Sequence, residues 1–441
     1  MPGQPVKIGP FTGGLNNVSL AGESKDTEVV ELVNFELALD TALVSRPPLE
    51  IVTGTSVTQP NQWDVLGVYR VTASSWFAIV LAPTGATTFE VRAYSLGNFS
   101  LAPVVIKTIT GVNNRIVSFV QYNDWCYFNV NEGASDTGFR WKTGTLENIA
   151  TMPRGNVMIS WEDRLWITAS GIATTGNYVW FSTVDATGPK PNTWNTAVDF
   201  FNVDPGSGGL NTAMLALTNS LLIFKEDATY RFSFPVAPKN GDLSNMSRMI
   251  GAASKNSVIG FESYAFVYDQ GRVYELINTK FTQINLNVDF RNGIGLNANA
   301  NGVDLSIVNR RLVIRYFNTL FVYGVDTRTW SQWSSVNGTP GKFYELPTDS
   351  SSASPSNYLA ASRNIGQVKL LRMVDEYSNR TAVETIECWI KTKAYDYQAN
   401  SVFKRLFLWG LDVMTTRPVE MQAIPLGKKR TVTWDELESY T

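Results

Sequence analysis

One feature constrains the fold of this chain more than any other: a loose repeat. An apolar strand, a polar turn and a second apolar strand recur at Ser118–Phe128, Ile159–Ile167, Leu215–Phe224, Ile259–Tyr268 and Ser306–Ile314. Weaker copies lie at Leu66–Val80 and Leu359–Leu371, and successive units start 41 to 56 residues apart. Four-stranded propeller blades repeat at roughly 40 to 50 residues. One blade cannot bury both its faces, so its neighbours must stack against it around an axis. A β-sandwich or an elongated meander has similar strand density, but neither requires a period. Several units add outer strands, Thr229–Phe234 after the third and Arg272–Leu276 after the fourth. The fifth continues through Thr319–Val325, turns at Asp326-Thr327-Arg328 and ends at Trp330–Trp333. The expectation is an all-β chain built on a β-propeller of about six or seven blades.

Two segments fall outside the repeat. Residues 1–60, rich in Gly, Pro and Asn, read as an extended N-terminal arm, and residues 61–375 hold the propeller. Within it, Thr27–Leu39 fits either a short helix or an extended arm. The polar stretch Thr348–Pro355 reads as a loop tip. Residues 376–441 carry Thr385–Ile390 and Phe403–Trp409, two strand-like runs expected to form a small C-terminal β-module.

Composition narrows the chemistry. Of 441 residues none is His, which removes imidazole bases, proton shuttles and imidazole-based metal sites. The two cysteines cannot form a disulfide framework or a four-thiolate metal site. A net charge of −2, with 17% of residues charged, argues against a chain whose main task is gripping DNA. With 44% hydrophobic residues and 13 Trp, 17 Tyr and 23 Phe, a large core is assured. Met1-Pro2-Gly3-Gln4-Pro5 lacks the basic start and apolar centre of a signal peptide. The most apolar run, Trp76–Ala82, is too short to span a bilayer. The expectation is a soluble protein made in a cytoplasm, with no membrane-spanning segment.

The candidate sites weaken on inspection. Asp124 and Glu162-Asp163 could supply the paired acids of a glycosidase, which face each other about 5 to 10 Å apart. They occupy the tight turns of the repeat, where Asp and Asn are favoured for backbone reasons. Ser182–Gly188, followed by Asn192-Thr193-Trp194, approximates the Asp-box turn of sialidase-like propellers, a structural hairpin device. Gly206-Ser207-Gly208-Gly209 lacks the Lys-Ser/Thr pair and the following helix of a phosphate loop. Cys126 and Cys388 read as packed thiols. Lys404-Arg405 and Lys428-Lys429-Arg430 are the densest basic sites. They could line a channel or touch phosphates, or they could be solvated strand edges that discourage aggregation. No catalytic residue, metal site or cofactor is expected.

The first fifty residues carry a resemblance. Phe11-Thr12-Gly13-Gly14-Leu15-Asn16 is followed by Glu31-Leu32-Val33-Asn34-Phe35 and then by Leu43-Val44-Ser45-Arg46-Pro47-Pro48-Leu49-Glu50. This order resembles the opening of bacteriophage tail proteins, the nozzle proteins of short-tailed phages and β-propeller minor tail proteins of long-tailed ones. The Trp-rich repeats and the strand around Arg405 are similar to those families as well. The resemblance implies a structural, non-enzymatic virion protein, a nozzle or tail-tip ring subunit on the DNA exit path. It implies a ring-shaped homo-oligomer such as a hexamer, transient passage of DNA, and other tail proteins (adaptor, tail fibre or tail hub) as partners. It further implies that Phe11, Gly13, Gly14, Leu15, Asn16, Arg46 and Pro47 form an arm contacting a neighbouring subunit. Deleting residues 1–40 would then abolish assembly and leave the propeller folded. The alternative it leaves is a minor tail protein that binds a receptor or carbohydrate.

Overall fold

A computed structural model describes residues 12–18, 25, 28–37, 43–51, 64–72, 75–85, 87–96, 101–110, 117–130, 138–172, 174–185, 188–207, 209–290, 302–335, 337–346, 357–361, 370–374, 386 and 388–391. The chain divides into residues 1–394 and 395–441, and every described residue lies in the first unit.

Continuous apolar runs at the second strand of each repeat unit set the architecture. Ser220–Lys225 is buried at all six positions, and Tyr264–Asp269 at all but the first. A strand covered on one face would alternate, whereas these are covered on both. Seven sheets result, each a blade of a seven-bladed propeller and antiparallel apart from one added strand in blade six. Blade one runs Asp64–Thr72, Ser75–Pro83, Thr88–Ser95 and Val104–Thr110. Blades two to five begin at Val117, Val157, Asn211 and Val258 and follow the same up-and-down order. In blade three a hairpin, Thr183–Asp185 with Gly188–Lys190, precedes the fourth strand.

The first strands ring the axis, and each lies beside the next from blade seven through blade one to blade six. Blades six and seven meet where the Phe343 amide donates to Ser306 Oγ at 2.8 Å. Seven buried apolar clusters fill the seven blade-to-blade interfaces. The interface of blades three and four is rich in aromatic side chains. It gathers Trp161, Trp166, Phe181 and Phe232, with Phe201 stacked on Phe232 at 4.2 Å.

Blades six and seven are completed from elsewhere in the chain. Blade six, Val303–Val308, Arg311–Tyr316, Thr319–Gly324 and Trp330–Trp333, gains Glu31–Val33 parallel to its fourth strand. Trp389–Lys391 then pairs antiparallel to Glu31–Val33. Blade seven has three consecutive strands, Tyr344–Leu346, Asn357–Ala361 and Leu370–Val374. Its fourth is Leu49–Ile51, paired antiparallel to the third.

These placements revise several expectations. Of Thr27–Leu39, the described residues are extended and not helical: Glu28–Val29, Glu31–Val33 and Phe35–Leu37 are strands, packed on the chain's own blades. Of the segment Thr385–Ile390, the described strand Trp389–Lys391 borders blade six. Apart from Ile386 and Cys388, the remainder of the 376–441 module, Phe403–Trp409 included, lies outside the described residues. The last repeat unit, Leu359–Leu371, covers the second and third strands of its blade, whereas the other six cover the first and second. Its register slips because the fourth strand is contributed by the N-terminal segment and the first is only three residues long.

Candidate functional site: the N-terminal clasp and the two ends of the axis

The segment that closes the ring is built around a buried arginine. Arg46 is 1% exposed. Its Nε donates to Asn34 Oδ1 at 3.0 Å and to Ser334 O at 2.9 Å, and its Nη1 donates to Pro47 O at 2.7 Å. Asn34 adopts a φ of 60°, a left-handed conformation that Asn tolerates better than most residues. Its Oδ1 also accepts from the Ser334 amide at 2.7 Å, and its Nδ2 donates to Ser334 Oγ at 2.9 Å. A planar guanidinium presents several donors at fixed angles, so it can gather acceptors from three chain segments at once. Pro47 and Pro48 then carry the chain, buried, into the fourth strand of blade seven.

Gly14 begins the clasp. Its φ is 64°, and a Cβ there would stand 3.0 Å from Trp330 O and from Thr329 Cβ, so only glycine fits. Leu15 enters the cluster between blades five and six, and Asn16 Nδ2 donates to Glu28 Oε2 at 2.8 Å. Asn17 continues the attachment, accepting from the Asp289 amide at 2.7 Å through its Oδ1. Gly14, Leu15, Asn16, Arg46 and Pro47, expected as a contact to a neighbouring subunit, are thus buried within their own protomer. Gly13 is half-buried, and Phe11 lies outside the described residues. Deleting residues 1–40 would remove a strand of blade six, so the propeller would not be left intact by it.

At one end of the axis lie the turns between first and second strands. Glu162 and Asp163 have φ of 46° and 57°, and Asn309 and Arg310 of 42° and 61°. Both central residues of a tight hairpin turn adopt such angles when the turn matches the strand twist. The acids considered for glycosidase chemistry are therefore turn residues. Asp124 forms an ion pair with Lys142 at 2.9 Å. The turns also latch blade to blade. Tyr69 Oη donates to Asp124 O at 2.8 Å, Tyr122 Oη to Asp163 O at 3.3 Å and Trp161 Nε1 to Leu217 O at 3.0 Å. Arg310 pairs with Glu262 of the preceding blade and with Asp326.

The other end, where the first strands begin, is bridged. Lys255, just before blade five, donates its Nζ to Val117 O, the first residue of blade two, at 3.0 Å. Those blades stand three apart in a ring of seven, so the side chain crosses the opening. Asp304 and Arg315 form a buried pair at 2.7 Å beside it, and Asn256 Nδ2 donates to Asp304 Oδ1 at 2.9 Å. No local motif marks these residues. The signal present was Asp304 inside Val303-Asp304-Leu305-Ser306, a charge in a strand otherwise fit for burial on both faces.

Other candidate chemistry is placed plainly. Cys126 is fully buried, and desolvation pushes its thiol well above the ordinary range, so it stays protonated. Cys388 lies beside the clasp, with its Sγ 3.4 Å from Asn34 O. The 182–188 segment forms the hairpin expected of it, and Ser182 Oγ accepts the Leu165 amide at 3.0 Å. Among the described residues, no group of three or more Cys, Asp or Glu is placed to hold a metal ion. Among them too, no helix is long and apolar enough to cross a membrane. Lys404, Arg405, Lys428, Lys429 and Arg430 lie outside the described residues.

The class of protein is thus defined by its blades: a seven-bladed β-propeller clasped by its own N-terminal segment. No known family pattern matches the chain, and no curated protein matches it. Among solved structures it is similar to the extracellular domain of a protein described as a one component system from B. thetaiotaomicron. Identity is 12% and the TM-score 0.48, over 74% of this chain and 40% of that one. A second structure, described as the extracellular domain of a hybrid two component system of that organism, gives 12% identity and a TM-score of 0.46, over 74% and 39%. PorZ, a bacterial surface component of the type-IX secretion system of Porphyromonas gingivalis, gives 11% and 0.37, over 78% and 40%. The chain spans about two fifths of the length of these structures.

Proposed function

We propose that this chain is a structural subunit of a bacteriophage tail, a nozzle or tail-tip ring subunit on the path by which DNA leaves. The observation that carries the reading is the opening segment. Its resemblance to tail proteins rests on Gly13-Gly14-Leu15-Asn16, Asn34 and Arg46-Pro47-Pro48. Most of these residues close the propeller, through the Gly14 approach to Trp330 and the Arg46–Asn34–Ser334 network. The order of the motif thus has a physical reason that extends beyond composition. With its opening segment folded back, the protomer would meet its ring neighbours through blade edges and loops. Exposed Leu101, Val104 and Val105 on the outer edge of blade one are suited to such a contact. Because Lys255 bridges the protomer's own axis, the conduit in this reading is the lumen of the ring.

Receptor or carbohydrate binding is the competing reading. It would use exposed aromatic faces, yet the large apolar side chains most exposed among the described residues are Val, Leu, Ile and Met. Native mass measurement with negative-stain images of the full chain tests the proposal. A closed ring with a central opening is the expected result. A chain that stays monomeric at high concentration and binds host-cell glycans would replace the proposal with the competing reading.

A further inference from the structure

The loop that carries the chain from blade six to blade seven holds a further tie to the clasp. Asn337 Nδ2 donates to Leu49 O at 2.7 Å, across 288 positions, at the first residue of the clasp strand Leu49–Ile51. The residue after it is Gly338, whose φ of 108° lies where L side chains are rare. The Gly338 amide donates to Ser335 O at 3.4 Å, longer than the usual N–H···O range. Asparagine is chemically labile, and most so before glycine, which has no Cβ to obstruct approach of its nitrogen to the side-chain amide carbon. The sequence holds four Asn-Gly pairs, and the Asn is described in two, Asn240-Gly241 and Asn337-Gly338. Asn240 is exposed, in the 3-10 turn Pro238–Asn240 of blade four, whereas Asn337 is half-buried against the clasp.

We propose that Asn337 is a deamidation site gated by the clasp. In the step, the Gly338 nitrogen attacks Asn337 Cγ and loses its proton, the Cγ–Nδ2 bond breaks, and ammonia leaves. Water then opens the resulting succinimide ring to aspartate or isoaspartate, and nothing is oxidised or reduced. While the clasp is seated, the Leu49 carbonyl holds Nδ2 and keeps Cγ from turning toward the Gly338 nitrogen. When Leu49–Ile51 lifts in a local opening, the side chain is released and the step proceeds. The product sets a carboxylate oxygen, which cannot donate, against the Leu49 carbonyl, so the strand reseats less firmly. Asn337 is then a one-way record of clasp opening. The inference uses the clasp alone, independently of the tail reading.

The test is peptide mapping of the full chain held at mildly alkaline pH, following conversion at Asn337 with Asn240 as an internal reference. In the native parent Asn240 should convert first and Asn337 slowly, and in denaturing urea the two should converge. Arg46→Ala, which loosens the clasp, should speed conversion at Asn337 at least about tenfold and leave Asn240 unchanged. Asn337→Asp should lower Tm by roughly 2 °C, the loss of about one hydrogen bond. Asn337 converting as fast as Asn240 in the native parent would overturn the gating, as would equal Asn337 rates in Arg46→Ala and the parent. Asn337 staying intact in urea, or Asn337→Asp melting with the parent, would overturn the site itself. If Arg46→Ala fails to fold, the parent in sub-denaturing urea decides: conversion at Asn337 must rise before the global transition, and a rise only with global unfolding removes the clasp from the account.

Discussion

Blade four and blade seven have the same four-stranded form and are put together in opposite ways. Blade four is contiguous, from Asn211–Leu217 through Asp242–Ser247, with its first three strands joined by short turns and the fourth reached by a loop that holds the 3-10 turn Pro238–Asn240. Blade seven unites residues 344–374 with Leu49–Ile51, about three hundred positions earlier. Contacts within blade four form locally and carry little loop-closure cost, whereas closing blade seven orders most of the chain at once. The difference teaches where the ring is vulnerable. A contiguous blade fails alone, but loss of the clasp opens the circle and exposes apolar faces on both sides of the gap.

The largest effect should follow from removing the clasp. Deletion of residues 1–51 takes away a strand from each of blades six and seven. The expected outcome is loss of the cooperative thermal transition, followed by circular dichroism. Deleting the hairpin 183–190 of blade three should leave that transition in place, since the hairpin forms its own two-stranded sheet. An unchanged melt after loss of residues 1–51 would show that the ring stands without its closure.

Two single substitutions compare the interfaces directly. Phe232, 2% exposed among the aromatics of blades three and four, should cost about 4 kcal/mol when changed to Ala. Arg46→Ala should cost about 3 kcal/mol, because it removes the donors to Asn34 Oδ1, Ser334 O and Pro47 O and leaves a cavity at a buried position. Arg46→Lys should recover only part, since an ammonium cannot reproduce the fork. Denaturant titrations give both values. If Arg46→Ala proves neutral, the clasp is held by strand pairing alone.

The same contrast explains what the sequence made legible. Six of seven units were visible as strand–turn–strand repeats because their blades are contiguous and their second strands are continuously apolar. The seventh was misregistered because its period is broken by a strand taken from the other end of the chain. Gly14, Asn34 and Arg46 were conspicuous as a motif, yet nothing local announces that Asn34 and Arg46 meet Ser334, some three hundred residues away. Lys255 reaching Val117 is of the same kind, a contact fixed by ring closure and by no local pattern.

Backbone strain offers a smaller effect. Gly14→Ala places a Cβ against Trp330 O at a positive φ and should cost about 2 kcal/mol. Gly206→Ala, in the open loop before blade four, should stay within about 0.5 kcal/mol of the parent. Equal losses at the two sites would mean that the approach of Gly14 to blade six relaxes freely.

The smallest effect concerns how each region treats a buried charge. Arg46 meets several acceptors, but Asp269, 6% exposed in blade five, is held by one long hydrogen bond, from the Gly251 amide at 3.3 Å. Desolvation raises the Asp269 pKa above the ordinary carboxylate range; Asp227 adds to the rise, while the Gly251 amide and Arg272 oppose it. The folded chain therefore holds this proton to higher pH than the unfolded chain does. Between about pH 4 and the raised folded value the folded state binds more protons, so stability falls as pH rises through that window. Asp269→Asn removes the titration and should flatten that limb, leaving the variant at least as stable as the parent at pH 7. Stability measured from pH 4 to 7 in both proteins checks this. Identical slopes would show that the Gly251 amide and Arg272 compensate the buried charge as fully as the clasp compensates Arg46.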